Sequence, residues 1–182
     1  WYDVNDNKKT WTNKQIVQRS CGKFRREWET SSMKEKSYTP ENYPILRYGD
    51  VLLMLAEAEN EAHQGPTDLA YECINEIRQR AGISKLEGLS YTDFQQAVRD
   101  ERARELCFES LRKYDLVRWG IYVEAVHDKL GAATQDKRWA TGNQFIGARD
   151  YAARTQEKHQ FLPIPTKELD VNGKLEQNKY WQ

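Results

Sequence analysis

Cysteine is scarce in this chain and poorly placed for cross-linking. The three cysteines, Cys21, Cys73 and Cys107, form no CxxC pair, and their odd number argues against a disulfide framework. Cys73 and Cys107 fall inside helical patterns, where a thiol acts as a small apolar side chain. The three histidines, His63, His127 and His159, show no metal-ligand spacing and none flanks a cysteine, so no metal centre is expected. There is no GxSxG elbow, no HExxH and no phosphate-binding glycine loop; Gly22-Lys23 lacks the other glycine of such a loop. No cofactor and no catalytic residue is therefore assigned, and the chain does not read as an enzyme.

Two further absences narrow the class. No apolar run approaches the ~20 residues that a membrane helix needs; the longest, Val51–Ala56, is the size of a core-helix stripe. Any membrane attachment is expected to lie outside this chain, which opens on Trp1 without a signal-peptide pattern and reads as part of a longer protein. An excess of charge of either sign is also missing. The 28 Lys and Arg balance the 28 Asp and Glu, which argues against a general nucleic-acid binder with its basic face.

What the chain does have is aromatic surface and helical periodicity. Its 182 residues suffice for a single domain with a real core. Six Trp and ten Tyr supply much of the apolar area in a composition only 38% hydrophobic. We read 1–182 as a single domain: a loop-rich N-terminal part over 1–42, a helical core over 43–130, and a loop and tail over 131–182. In the first part CGKFRREW is compatible with a short strand burying Phe24 and Trp28.

The core is predicted to hold helical hairpins. A first helix over about Ile45–His63 places Tyr48, Val51, Leu52, Leu55, Glu59 and Ala62 on one face. Gly65-Pro66 ends it, and Thr67 or Asp68 can cap a second helix reaching about Ala81, with Gly82 at its C-terminal cap. So short a loop makes the pair antiparallel, like one tetratricopeptide unit, with no internal repeat. Ser90-Tyr-Thr-Asp93 resembles a capping box and starts a third helix reaching about Glu109. A fourth follows a bend near Ser110 over 111–130, interrupted at Gly120. Residues 131–158 read as mostly loop, His159–Pro165 as extended, and Lys167–Asp170 as a last helical turn.

The third helix carries an anomaly. Phe94, Val98, Glu101, Glu105 and Phe108 share one face, so two carboxylates sit on the apolar stripe beside Arg102 and Arg104. A carboxylate pair can serve acid–base chemistry. The favoured reading is a structural ion network, in which Glu101 and Glu105 meet arginines from elsewhere such as Arg47, Arg78 or Arg80, because unpaired buried carboxylates are costly. Asp115 and Arg118, three apart on a helix, form a further pair, and Trp119 beside them reads as a core anchor rather than a ligand platform. The candidate ligand residues are the aromatics outside the helical block, Trp1, Trp11, Trp28 and Trp139. Their faces can stack on a sugar ring while polar neighbours bond its hydroxyls.

Four segments resemble the C-terminal part of the SusD/RagB family. They are NYPILRYGDVLLMLAEAENE, INEIRQRAG, ERARELCFESLRKYDLVRWG, and FLPIPTKELDVNGKLEQNKYW, in the order that the family shows. Gly49 stands where alanine is usual there, and Ser110 where glycine is usual. The resemblance implies a mainly α fold of tetratricopeptide-like hairpins with long loops and little strand. It also implies an outer-membrane, cell-surface lipoprotein of polysaccharide utilisation, which binds a glycan or other nutrient and delivers it to a SusC-like TonB-dependent transporter, without catalysis and without nucleic acid. Its lipid anchor lies outside this chain, and its ligand residues vary, so none is carried over. The competing readings are a helical protein–protein scaffold with no ligand site of its own, and a glycan-cleaving enzyme using Glu101 and Glu105.

Overall fold

A computed structural model describes residues 22–24, 28–30, 39–40, 42–131 and 143–182, and among them it is helical with no strand. Its contacts group into two compact units, one within Cys21–Arg112 and one containing Lys113–Gln182.

The first unit is built on α1 (Tyr48–His63), α2 (Asp68–Arg80) and α3 (Tyr91–Glu105). Helix α1 begins three residues later than its periodicity predicts. Arg47 is extended (φ −140°, ψ 161°) and caps the helix without a side-chain bond. At the other end Gln64 turns left-handed before Gly65-Pro66 closes the helix. Thr67 caps α2, its Oγ1 accepting from the Ala70 amide at 3.1 Å. Gly82, at φ 71°, lets the chain leave that helix. Ser90 caps α3, accepting from the Asp93 amide at 3.2 Å. Antiparallel α1 and α2 form a hairpin of the tetratricopeptide-like kind, with α3 packed against them.

The core joins Leu52, Leu53 and Ala56 of α1, Cys73, Ile74 and Ile77 of α2, and Phe94 and Val98 of α3. The predicted face of α1 is off by about one residue. Gly49, Leu53, Ala56 and Asn60 form the inward stripe, whereas Tyr48, Val51 and Leu55 are exposed. The helix is apolar on two adjacent faces, so periodicity alone favoured the more hydrophobic one. With Tyr43, Ile45, Leu46 and Met54, that outer face presents a run of exposed apolar side chains. The proposed strand near Phe24 is also absent at the described positions. Residues 22–24 bend, Phe24 has φ 55°, and Phe24 and Trp28 are 46% and 63% exposed. A left-handed residue cannot continue a strand.

Helix α3 ends at Glu105, four residues before its predicted end, and Phe108 is consequently exposed rather than on the buried stripe. The 106–110 turn reverses through two left-handed residues, Phe108 (φ 64°) and Ser110 (φ 61°). Helix α4 (Arg112–Arg118) follows, and Gly120 at φ 70° breaks it from α5 (Tyr122–Ala125), which continues as a π-helical turn over Val126–Gly131.

In the second unit, residues 143–154 depart from the predicted loop and form α6 (Asn143–Arg154). Gly147 and the polar composition obscured a segment whose alanines favour helix, and Ala152 packs with Leu116, Tyr122 and Val126. A 3₁₀ turn over Glu157–Gln160 delays the extended stretch until Phe161, and α7 (Thr166–Val171) follows, capped at Pro165 rather than by Thr166. The tail closes back on the extended stretch. The Gln177 amide donates to the Ile164 carbonyl at 3.0 Å and accepts from the Ile164 amide at 2.9 Å. Phe161 stacks on Tyr180, and the Trp181 indole donates to the Phe161 carbonyl.

Ser110 sits in a backbone region that costs an L-residue about 1 kcal/mol and glycine almost nothing. We expect Ser110→Gly to raise the unfolding free energy by about 1 kcal/mol in urea titration. A loss of stability would show that the Ser110 side chain contributes more than its backbone costs.

Candidate functional site

A dense polar constellation lies where the three helices of the first unit meet the 106–110 turn. Arg47 is its hub. Its Nε donates to Glu109 Oε2 at 2.7 Å, its Nη1 to Glu105 Oε1 at 2.5 Å, and its Nη2 to the Glu105 carbonyl. Arg80, from the end of α2, donates to the other Glu105 oxygen at 2.5 Å. Lys23 donates to the Glu105 carbonyl at 2.7 Å and to Glu109 Oε1. Gly49 explains how the guanidinium comes so close to α1. A Cβ there would stand 3.0 Å from Arg47 Nη1 and 3.2 Å from Glu105 Oε1. In this chain the glycine leaves room for the ion pair without displacing either side chain.

Two other ion pairs brace the same helices. Arg78 of α2 donates to Glu101 of α3 at 2.9 Å, with Arg104 3.6 Å from the same carboxylate. Arg102 donates to Asp50 at 2.8 Å, and both side chains are buried. The structure therefore brings Arg78, Arg80, Glu101, Arg102 and Glu105 to the α3 interface. Asp115 and Arg118 form a separate local pair at 3.0 Å on α4, and the Arg118 guanidinium lies 4.7 Å from the centroid of half-buried Trp119. Asp50, Lys23 and Glu109 were not singled out from sequence. Asp50 lies in the first turn of α1 on the buried side, and Lys23 and Glu109 reach the cluster through turns that periodicity does not describe.

The electrostatics follow from this pairing. Burial pushes the Glu105 carboxyl up, but hydrogen bonds and charge from Arg47 and Arg80 outweigh it and hold the group below its ordinary 4.5. At Glu109 burial likewise raises and Arg47 and Lys23 lower, with the same net direction. The Glu109 hydrogen bond is the main reason that the Arg47 guanidinium lies above its ordinary value. Both carboxylates are thus ionised at neutral pH. They are acceptors with their donors in place, not poised proton donors.

Among the candidate ligand aromatics, Trp28 is exposed at the surface, while Trp1, Trp11 and Trp139 lie outside the described residues. A separate groove of about 670 Å³ runs between α2 and the 81–90 loop, lined by Glu72, Glu76, Lys85 and Glu87 among others. That loop is pinned. Asn75 exchanges two hydrogen bonds with Leu86, Tyr71 Oη accepts from the Leu89 amide, and Arg78 Nε donates to the Ser84 carbonyl. No cluster of three or more His, Cys, Asp or Glu side chains suited to a metal occurs among the described residues. Nor is any described helix long and apolar enough to cross a membrane.

Among the described residues, the first unit is thus a helical hairpin and a third helix braced by ion pairs. The chain belongs to the SusD family, whose model matches residues 1–181. It is 40% identical over 139 residues to SusD-like protein P25 of Formosa agariphila, covering 74% of this chain and 23% of that one. It also resembles the crystal structure of a SusD homolog from Bacteroides thetaiotaomicron, with a TM-score of 0.70 and 37% identity over 82% of this chain and 29% of the other. A SusD superfamily protein from Bacteroides vulgatus follows, with a TM-score of 0.59, 31% identity, and coverage of 80% and 29%. The chain thus spans less than a third of the length of these relatives.

Breaking a buried, hydrogen-bonded ion pair costs about 3–5 kcal/mol. We expect Glu105→Ala to cost about 3 kcal/mol, the lower end of that range, because Arg80 is largely exposed. An unchanged melting temperature would contradict this. The lowered carboxylates also set a sign. Their contribution is full above the unfolded value near 4.5 and is lost as pH falls through the lower folded values. Wild-type stability should therefore fall below about pH 4.5, and more steeply than that of Glu105→Gln, when both are followed by urea titration across pH. Parallel profiles would show that Glu105 is not linked to folding.

Proposed function

We propose that this chain is the braced helical part of a glycan-binding protein of the outer-membrane surface. In this reading it helps to capture an oligosaccharide or other nutrient and passes it to a SusC-like TonB-dependent transporter, and it is not an enzyme. Membership of the SusD family across residues 1–181 is the observation that carries the proposal. The geometry supports it by accounting for Glu101 and Glu105. Each accepts from arginines, and Glu105 is held ionised, so Glu105 is not poised to protonate a leaving group. The ion network of Arg78, Arg80, Glu101, Arg102 and Glu105 is then structural, and ligand contact falls to aromatic side chains outside it. Trp28, with its exposed ring, is the described candidate, alongside Trp1, Trp11 and Trp139.

The exposed apolar run from Tyr43 to Leu55 favours a second reading, a helical scaffold that docks a partner and has no ligand site. Calorimetry separates the two. We would titrate the chain with maltoheptaose, xylohexaose, mannohexaose and laminarihexaose, alongside Trp11→Ala and Trp28→Ala. We expect saturable binding to at least one oligosaccharide, weakened about tenfold in one variant, or about 1.4 kcal/mol, near the upper end for a lost aromatic contact. Absence of binding to all four by a folded chain would favour the scaffold. Sugar release from any of them that disappears in Glu105→Gln would restore the enzyme.

A further inference from the structure

Helix α6 carries a feature that the preceding site does not use. A depression of about 310 Å³ is lined by Gly147, Asp150, Tyr151, Arg154 and Thr155. The first four recur at spacings of three and four and share one helix face. Small-molecule sites run from about 300 to 1,000 Å³, so this volume suits one ring-sized group.

The lining is chemically mixed and partly fixed. Tyr151 is 49% exposed, yet its ring is held at the far end, where its hydroxyl is bonded to that of buried Tyr122. Burial, followed by this bond, pushes Tyr122 up to about 12, so the shared proton stays in place across the physiological range. Thr155 Oγ1 donates to the Tyr151 carbonyl at 2.7 Å and steadies the end of the helix beneath it. Asp150 reaches its neighbour Arg149 only at 4.0 Å and is about half exposed, which leaves carboxylate lone pairs for a further donor. Arg154, one turn beyond Asp150, adds up to five N–H donors. Gly147 leaves open space, since nothing lies within 4 Å of the place its Cβ would occupy.

A held aromatic ring flanked by an acceptor and a donor matches a pyranose. Its C–H face packs on the ring, and its hydroxyls, each both donor and acceptor, satisfy Asp150 and Arg154 together. A purely apolar ligand would strand both charges, and a phosphate would meet the Asp150 carboxylate as well as the guanidinium. We propose that this depression is a subsite for one hexopyranose residue of a neutral oligosaccharide, with Tyr151 as the stacking platform and Asp150 and Arg154 as hydroxyl partners. The proposal rests on the glycan-binding reading above and adds to it a place and residues on α6.

Tyr151→Ala removes the platform. Gly147→Leu fills the open space while leaving every described hydrogen bond intact, and it favours helix, so it tests the site even if the tyrosine variant folds poorly. Both would be titrated by calorimetry, as the full chain, with the four oligosaccharides named above. We expect each variant to bind at least tenfold more weakly than wild type the oligosaccharide that wild type binds, with an unchanged far-ultraviolet circular dichroism spectrum for Gly147→Leu. Wild-type binding that both folded variants match within twofold would overturn the subsite and leave the glycan reading standing. Failure of wild type to bind any of the four would overturn both.

Discussion

A single guanidinium organises the first unit. Arg47 stands just before α1 and uses all three of its nitrogens, reaching two carboxylates and one backbone carbonyl. Those partners belong to the end of α3 and to the turn that follows, and the same carboxylates receive Arg80 from α2 and Lys23 from the chain upstream. Lysine at this position would offer a point charge and could not span the set, because the planar fork is what reaches Glu105 and Glu109 together. The constraint works in both directions. Carboxylates buried to this degree need nearly complete pairing, so each donor is held in place by the cost of leaving the others unmatched. Gly49 belongs to the same design, since a side chain there would crowd the pair.

This arrangement explains why charge sits where a hydrophobic stripe would be expected. The apolar core of Leu53, Ala56, Ile74, Phe94 and Val98 fills the middle of the three-helix unit. Toward the end of α3 the packing changes to Asp50–Arg102, Arg78–Glu101 and the Arg47 cluster. Ion pairs contribute less net stability than well-packed hydrocarbon but are specific in geometry. They fix how α3 ends and where the strained turn at Phe108 and Ser110 begins. On the function proposed above, recognition falls to side chains outside this ion network, in keeping with loops and rims carrying function on a stable scaffold.

Much of the frame was legible in the sequence, for identifiable reasons. Caps at Thr67, Ser90 and Gly82 are local chemistry, and they fall where residue type and spacing place them. The arginine partners of Glu101 and Glu105 could be anticipated because a carboxylate on an apolar stripe demands a cation. Less was legible where two signals competed. Helix α1 has two apolar faces, and which one turns inward depends on α2 and α3 rather than on its own moment. Helix α6 was hidden by Gly147 and polar neighbours, since its stability comes from packing near Ala152 and Tyr122. The contributions of Lys23 and Glu109 depend on turns, and no periodicity encodes those. For the ligand contacts, three of the four candidate tryptophans lie outside the described residues.

The most direct test of this view is a double-mutant cycle between Arg47 and Glu105, with Arg47→Met, Glu105→Gln and the double variant unfolded in urea. If Arg47 is the hub, the single losses overlap, and we expect a coupling energy of about 1–3 kcal/mol. Losses that add to within about 0.5 kcal/mol would mean that the two residues act independently and that Arg47 is not the hub of the cluster.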